Sequence, residues 1–281
     1  VTAAGRAWHG VERHAPIVFA LIALAFSSCA VLSTPRPAAV GSPREWSTTM
    51  QLHGKPLQLH LSAPPAHGSD PVLVLYASGD GGWLGAAVDM FHQIATAGYH
   101  TIGFSSRAFL KIERPHGLLT TAAHLAEDYE QILERARVEL GLDPESAALM
   151  TGWSRGAAFA ILAASEPAAP RNVVGVIAIG LDDGEDLAIG GPPDDADDGP
   201  VSSGQTRHAF ETYARIGHLA PLPCAVIQAS RDNYLPAAQA RQLFGPDTPQ
   251  RRFYAIEARN HRFSGGKPAF HTALLDAIHW V

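Results

Sequence analysis

The 281-residue sequence is poor in cysteine, in charge and in the motifs of metal and cofactor chemistry, and each shortage removes a class of protein. Two cysteines, Cys29 and Cys224, are too few for the disulfide framework of a small stapled domain. Cys224 opens an apolar stretch and reads as a buried, inert thiol. No H-E-x-x-H occurs and the histidines lack ligand spacing, so no metal is indicated. Gly79-Asp80-Gly81-Gly82 has the wrong spacing for the dinucleotide fingerprint, and no cofactor is called for. Basic residues form no stripe, which removes nucleic acid as a partner. Charged residues make up only 17% of the chain and hydrophobic ones 46%, a balance that suits one large α/β domain with a sizeable core.

What charge there is lies unevenly. The net charge is −6, and Asp182, Asp183, Glu185, Asp186, Asp194, Asp195, Asp197 and Asp198 fall between Leu181 and Val201 with no Lys or Arg among them. This acidic, Gly/Pro-rich segment, 182–200, breaks all periodicity. It reads as an insert, a solvated loop at a place where lids and caps occur.

The N-terminus reads as an address. Arg6 and Arg13 precede the apolar run Ile17 to Phe26, which is short for a membrane span, and small residues follow it. Residues 1–29 are therefore expected to be an export signal. Phe26-Ser27-Ser28-Cys29 resembles a bacterial lipobox, with Cys29 as the candidate lipidation site. The implied location is the periplasm or the cell envelope, with membrane association through the N-terminus. Residues 30–45, rich in Pro, Ser and Ala, read as a linker to a domain spanning 46–281.

Within that domain, Trp46 to Leu52 and Leu57 to Leu61 alternate apolar and polar residues around His53-Gly54-Lys55-Pro56, a hairpin pattern in which His53 and His60 read as strand-surface histidines. Pro71 to Ala77 reads as a strand buried on both faces, Ala147 to Met150 and Val173 to Leu181 as buried strands, and Tyr99 to Ser105, Cys224 to Ala229 and Arg252 to Ala258 as further strands. Helical patterns cover Leu84 to Ala97, Leu118 to Leu140, Ser203 to His218 and Pro268 to Trp280. His124 and Asp128, four apart on the second of these, read as a surface pair.

The stretch Gly152-Trp153-Ser154-Arg155-Gly156 organises the rest. An apolar strand enters G-x-S-x-G and an Ala-rich helix leaves it, the nucleophile-elbow pattern of the α/β-hydrolase fold. That fold has a mostly parallel central sheet with helices on both faces, here with an N-terminal hairpin. Ser154 is the candidate nucleophile. Asp232 and His261 each lie just beyond a later strand, completing the chain order Ser…Asp…His at the carboxyl ends where open α/β sheets gather reactive groups. The Gly-rich loop Ser78-Gly79-Asp80-Gly81-Gly82-Trp83 follows an earlier strand. A backbone amide at Asp80 or Gly81, together with that of Arg155, is the expected oxyanion hole.

The Ser78–Trp83 hexapeptide and Gly152 to Ala157 resemble the VirJ/AcvB family of bacterial periplasmic α/β-hydrolases. Gly103-Phe104-Ser105-Ser106-Arg107 is similar to that family's strand end, and Asp128 falls at its helix acid. The resemblance covers roughly residues 71 to 165, with a general hydrolase likeness to 266. The family carries Tyr and Phe around its nucleophile, where this chain has Trp153 and Arg155. The resemblance implies an exported, virulence-associated serine hydrolase whose ester substrate is an aminoacylated phosphatidylglycerol. The residues alone leave a generic carboxylesterase open, and also a non-catalytic envelope protein that keeps the fold as a binding scaffold.

Overall fold

The computed structural model describes residues 42–65, 70–112, 120–187 and 210–281. The expected signal, Cys29 and most of the expected linker lie outside them, as do residues 188–200 of the acidic segment. In chain order the elements are β1 (Arg44–Leu52), β2 (Lys55–Ala63), β3 (Asp70–Ala77), α1 (Ala86–Thr96), β4 (Tyr99–Phe104), α2 (Ser106–Leu110), α3 (Ala122–Leu140), β5 (Ala148–Trp153) and α4 (Arg155–Ala164). There follow β6 (Val173–Ile179), β7 (Gly184–Glu185), β8 (Phe210–Glu211), α5 (Thr212–Ile216), β9 (Cys224–Ala229), α6 (Ala237–Phe244), β10 (Arg251–Ile256) and α7 (Lys267–Trp280).

Eight strands form one sheet in the order β1-β2-β4-β3-β5-β6-β9-β10. The β1–β2 hairpin is antiparallel and joins β4 antiparallel; every pairing from β4 to β10 is parallel. Side chains alternate across a strand, so a sheet covered on both faces needs apolar residues at consecutive positions. Leu73 and Leu75 pack on one face with Phe104, Tyr129, Met150 and Phe159. Val74 and Tyr76 pack on the other with Met90, Phe91, Leu149, Phe270 and Leu274. Helices α3 and α4 thus cover one face, and α1 and α7 the opposite one.

Several elements differ from the sequence reading. The helix expected over Ser203 to His218 is, in its described part, the two-residue strand β8 followed by the five-residue helix α5. The short α2, capped by Ser105 Oγ accepting the Ala108 amide at 3.1 Å, has too few residues to show a period. Asp128 is not at the surface: it is 2% exposed and pairs with His53 Nε2 at 2.8 Å. The hairpin turn, with His53 at φ 50°, brings that ring onto α3. His60 likewise is no free surface histidine, since it stacks on Trp83 with ring centroids 4.1 Å apart. Burial holds the His60 imidazole below its usual pKa. Cys224 is buried, and burial pushes its thiol up to about 12, as an inert side chain requires.

Candidate active site

Strand β5 runs straight into α4 with a single residue between them. That residue, Ser154, sits at φ 56° and ψ −122°, a conformation that favours glycine and is strained for a serine. The flanking glycines are required by close approach. A Cβ at Gly152 would overlap the Gly156 carbonyl and lie 2.8 Å from the Ala157 nitrogen; one at Gly156 would overlap the Ala77 carbonyl at the end of β3. The Ser154 carbonyl accepts the amides of Ala157 and Ala158 at 2.9 and 3.2 Å, which starts the helix. The opening amides, that of Arg155 included, have no acceptor within the helix and favour negative charge.

The glycine loop borders this turn. A Cβ at Gly79 would stand 3.2 Å from Ser154 Cβ and 3.1 Å from the Trp153 ring, so the loop passes in van der Waals contact with the serine. The Gly82 amide donates to the Gly79 carbonyl at 3.0 Å, closing a turn with Asp80 and Gly81 at its centre. Both candidate oxyanion residues therefore lie on the loop that touches the elbow.

Asp232 and His261 stand beyond β9 and β10. Asp232 is 2% exposed and His261 7%. His261 Nδ1 and Asp232 Oδ2 are 2.7 Å apart. The same oxygen accepts Gln228 Nε2 at 3.2 Å, and Oδ1 accepts the Tyr234 amide at 3.0 Å, so the carboxylate is held from three directions. A carboxylate at Nδ1 fixes the imidazole hydrogen there and leaves Nε2 with a lone pair. Nε2 is buried and, among the described residues, has no hydrogen-bond partner, Ser154 included. Catalytic contacts of this kind are often loose without substrate. The ring is wedged by Tyr234, 4.8 Å away edge-on, and by Trp153, 5.2 Å away. Trp153 Nε1 also donates to the His261 carbonyl at 3.2 Å. Trp153 immediately precedes Ser154, so the histidine loop is bonded directly to the elbow. Gly180, after β6, has φ 59°, and a Cβ there would lie 2.8 Å from His261 Cε1.

The acidic segment departs from the solvated loop expected of it. Glu185 is 6% exposed, in β7 paired with β8, and its carboxylate accepts Arg155 Nε at 3.2 Å and the amides of Asp186 and Leu187 at 3.1 and 2.8 Å. Arg155, 10% exposed, also pairs with Asp80 and reaches Asp186 at 3.8 Å. One guanidinium thus ties the glycine loop, the elbow helix and the segment after β6 together. Burial raises the Glu185 carboxyl to about 7, against the opposing pull of Arg155. Gly180, Gln228 and Tyr234 are site components that the sequence reading missed, and none of them belongs to a motif. Trp153 is visible as a variable residue of G-x-S-x-G and Glu185 as one acid of the segment after β6, but the contacts they make are not. Among the described residues no group of three or more His, Cys, Asp or Glu is placed to hold a metal ion.

A sheet that is parallel from β4 to β10, an antiparallel hairpin at one edge and a strained serine between strand and helix decide the architecture. The fold is that of the α/β-hydrolases. Among solved structures, dienelactone hydrolase from Anabaena variabilis is similar at 17% identity, over 85% of this chain and 98% of that one, with a TM-score of 0.56. The esterase domain of a Rhodothermus marinus protein is similar at 18% identity, over 84% and 98%, with a TM-score of 0.54. An α/β serine hydrolase without lid from Xanthomonas campestris is similar at 14% identity, over 84% and 94%, with a TM-score of 0.55. No family model and no curated protein sequence matches the chain. Identities this low carry the fold and no more. Among the described residues no helix is long and apolar enough to cross a membrane.

Proposed function

We propose that this α/β-hydrolase chain is a serine ester hydrolase. His261 Nε2 takes the proton of Ser154 as Oγ attacks the ester carbonyl, and Asp232 stabilises the imidazolium that forms. The amides of Arg155 and of Asp80 or Gly81 hold the oxyanion, aided by the N-terminus of α4. The imidazolium then protonates the leaving alcohol, and water, deprotonated by His261, releases the acyl group. The observation that carries this reading is the buried His261–Asp232 pair at 2.7 Å, with Nε2 open and its loop bonded to the residue before a strained serine.

Within that class the reading we favour is hydrolysis of an aminoacyl ester, with aminoacylated phosphatidylglycerol as the lipid form suggested by the VirJ/AcvB resemblance. Its support is electrostatic. Asp80 and Asp186, both partly exposed, gather at Arg155 next to the nucleophile, and these two carboxylates already outnumber it in charge. A free ammonium group finds a counter-charge there that a neutral ester does not use. The export signal, and lipidation at Cys29 to hold the enzyme at the envelope, belong to the same proposal and rest on residues 1–29 alone. A fluorophosphonate probe tests the enzyme class. It should label Ser154 in the wild type and leave the Ser154→Ala protein unlabelled; a folded wild type that resists labelling refutes the nucleophile.

A further inference from the structure

A cleft of about 490 Å³ opens between the loops that follow β9 and β10, lined by Arg231, Asn233, Arg259, Asn260 and Ser264. All five side chains are polar, none is acidic, and two are guanidinium groups. The loops themselves orient the two carboxamides. Asn233 Oδ1 accepts the His261 amide at 3.4 Å, and Asn260 Oδ1 accepts those of Arg262 and Ser264 at 3.2 and 3.1 Å. Backbone amides thus fix both carboxamides through their oxygens. No carboxylate pairs with Arg259 among the described residues. Its Nε would lie 3.0 Å from a Cβ at Gly265, where φ is +80°, so the side chain rests along the loop. Arg231 meets Glu257 at 3.4 Å, but both are more than two-thirds exposed, and solvent screens such a pair. The walls are braced. Arg259 N donates to the Ser264 carbonyl at 2.9 Å, and Arg231 N to the Ala258 carbonyl at 3.3 Å.

We propose that this cleft binds a phosphate-type oxyanion, a phosphate mono- or diester, between the guanidinium groups of Arg231 and Arg259. A lining with two guanidinium groups and no carboxylate suits a group offering several acceptor oxygens, and guanidinium forks match phosphate geometry better than point charges do. The two loops also carry Asp232 and His261. An anion seated in the cleft therefore packs against the backbone that aims the imidazole, and it can be the phosphate of the substrate itself. That last step rests on the hydrolase reading; the anion site does not.

Calorimetric titration of the full chain with inorganic phosphate at low ionic strength tests the site without any assay of turnover. Saturable binding is expected. It should weaken at least tenfold in Arg231→Gln/Arg259→Gln and be lost in Ser264→Asp, which sets a carboxylate into the cleft. No saturable binding to the wild type, or unchanged binding in both folded variants, overturns the proposal. A matched pair of aminoacyl esters, one of glycerol and one of glycerol phosphate, then identifies the source of the anion. If KM in the Gln variant rises for the phosphate-bearing ester alone, the substrate's phosphate is the occupant. If phosphate binding falls while both esters respond alike, the site takes free phosphate. Should the wild type hydrolyse neither ester, the calorimetry still decides the site, and only the hydrolase reading fails.

Discussion

Replacing Glu185 with glutamine should change how stability depends on pH. Burial is the largest influence on this carboxyl and raises it from 4.5 to about 7, although the Arg155 charge and the Leu187 amide pull the other way. The folded chain therefore keeps a proton that the unfolded chain has already released. A group raised in this direction contributes its full stability below the unfolded value and loses it as pH climbs through the folded one. For Glu185 the loss runs from about pH 4.5 to just above 7. Between pH 5 and 8.5 it amounts to roughly 2.5 kcal/mol in the wild type, from 1.36 kcal/mol per pKa unit. Glutamine does not titrate, and its carbonyl can still accept the Leu187 amide. The measurement is urea unfolding of both proteins at several pH values. Groups that titrate alike in both cancel in the difference, so the free energy of the variant minus that of the wild type should rise by about 2.5 kcal/mol from pH 5 to 8.5. A flat difference would refute a buried, proton-holding Glu185.

Two further outcomes follow from the site. Ser154→Gly should raise unfolding free energy by about 1 kcal/mol, since glycine adopts φ 56° without strain, while turnover falls by several orders of magnitude; thermal melts and an ester assay check both. Asp80→Asn with Asp186→Asn should raise KM for cationic esters more than for neutral ones, most clearly at low salt, and equal changes in both would sink the electrostatic reading.

The parts of the fold that sequence reveals are those where one local rule dominates. A short apolar run such as Val72-Leu73-Val74-Leu75, rich in valine and bounded by Pro71 and a glycine loop, reads as a strand covered on both faces, and β3 is that strand. The elbow is legible because a strand and a helix separated by one residue require glycine on both sides, and Gly152 and Gly156 supply it. Asp232 and His261 are legible through the fold's chain order, each just after a strand, and the contact that order implies is present at 2.7 Å because β9 and β10 are neighbours. Long-range polar pairs leave no periodic trace. His53 and Asp128 are 75 residues apart, and nothing local to either predicts the bond between them. Of the helix expected over Ser203 to His218, the described part is helical from Thr212 onward, and only Phe210 and Glu211 are drawn out of it by pairing with β7.

Arg155 shows most clearly how a run of like charges conceals structure. A cation on the first residue of a helix opposes the positive end of the macrodipole, and a guanidinium only 10% exposed needs counter-charge to offset its lost hydration. Both penalties are met at once by Asp80 from the glycine loop and by Glu185 and Asp186 from the acidic segment. Where the VirJ/AcvB pattern places an aromatic residue, this chain therefore carries an arginine together with the acids that make it tolerable. The first acids of the segment are not interchangeable members of a solvated run. Glu185 is buried against Arg155, and Asp186 stands half-open beside it, so substituting the arginine would remove the cation that pulls the Glu185 carboxyl down and leave burial to raise it further. The acid of the glycine loop, the arginine after the nucleophile and the acids after β6 thus form one electrostatic unit, and it holds in place the backbone amides proposed to bind the oxyanion.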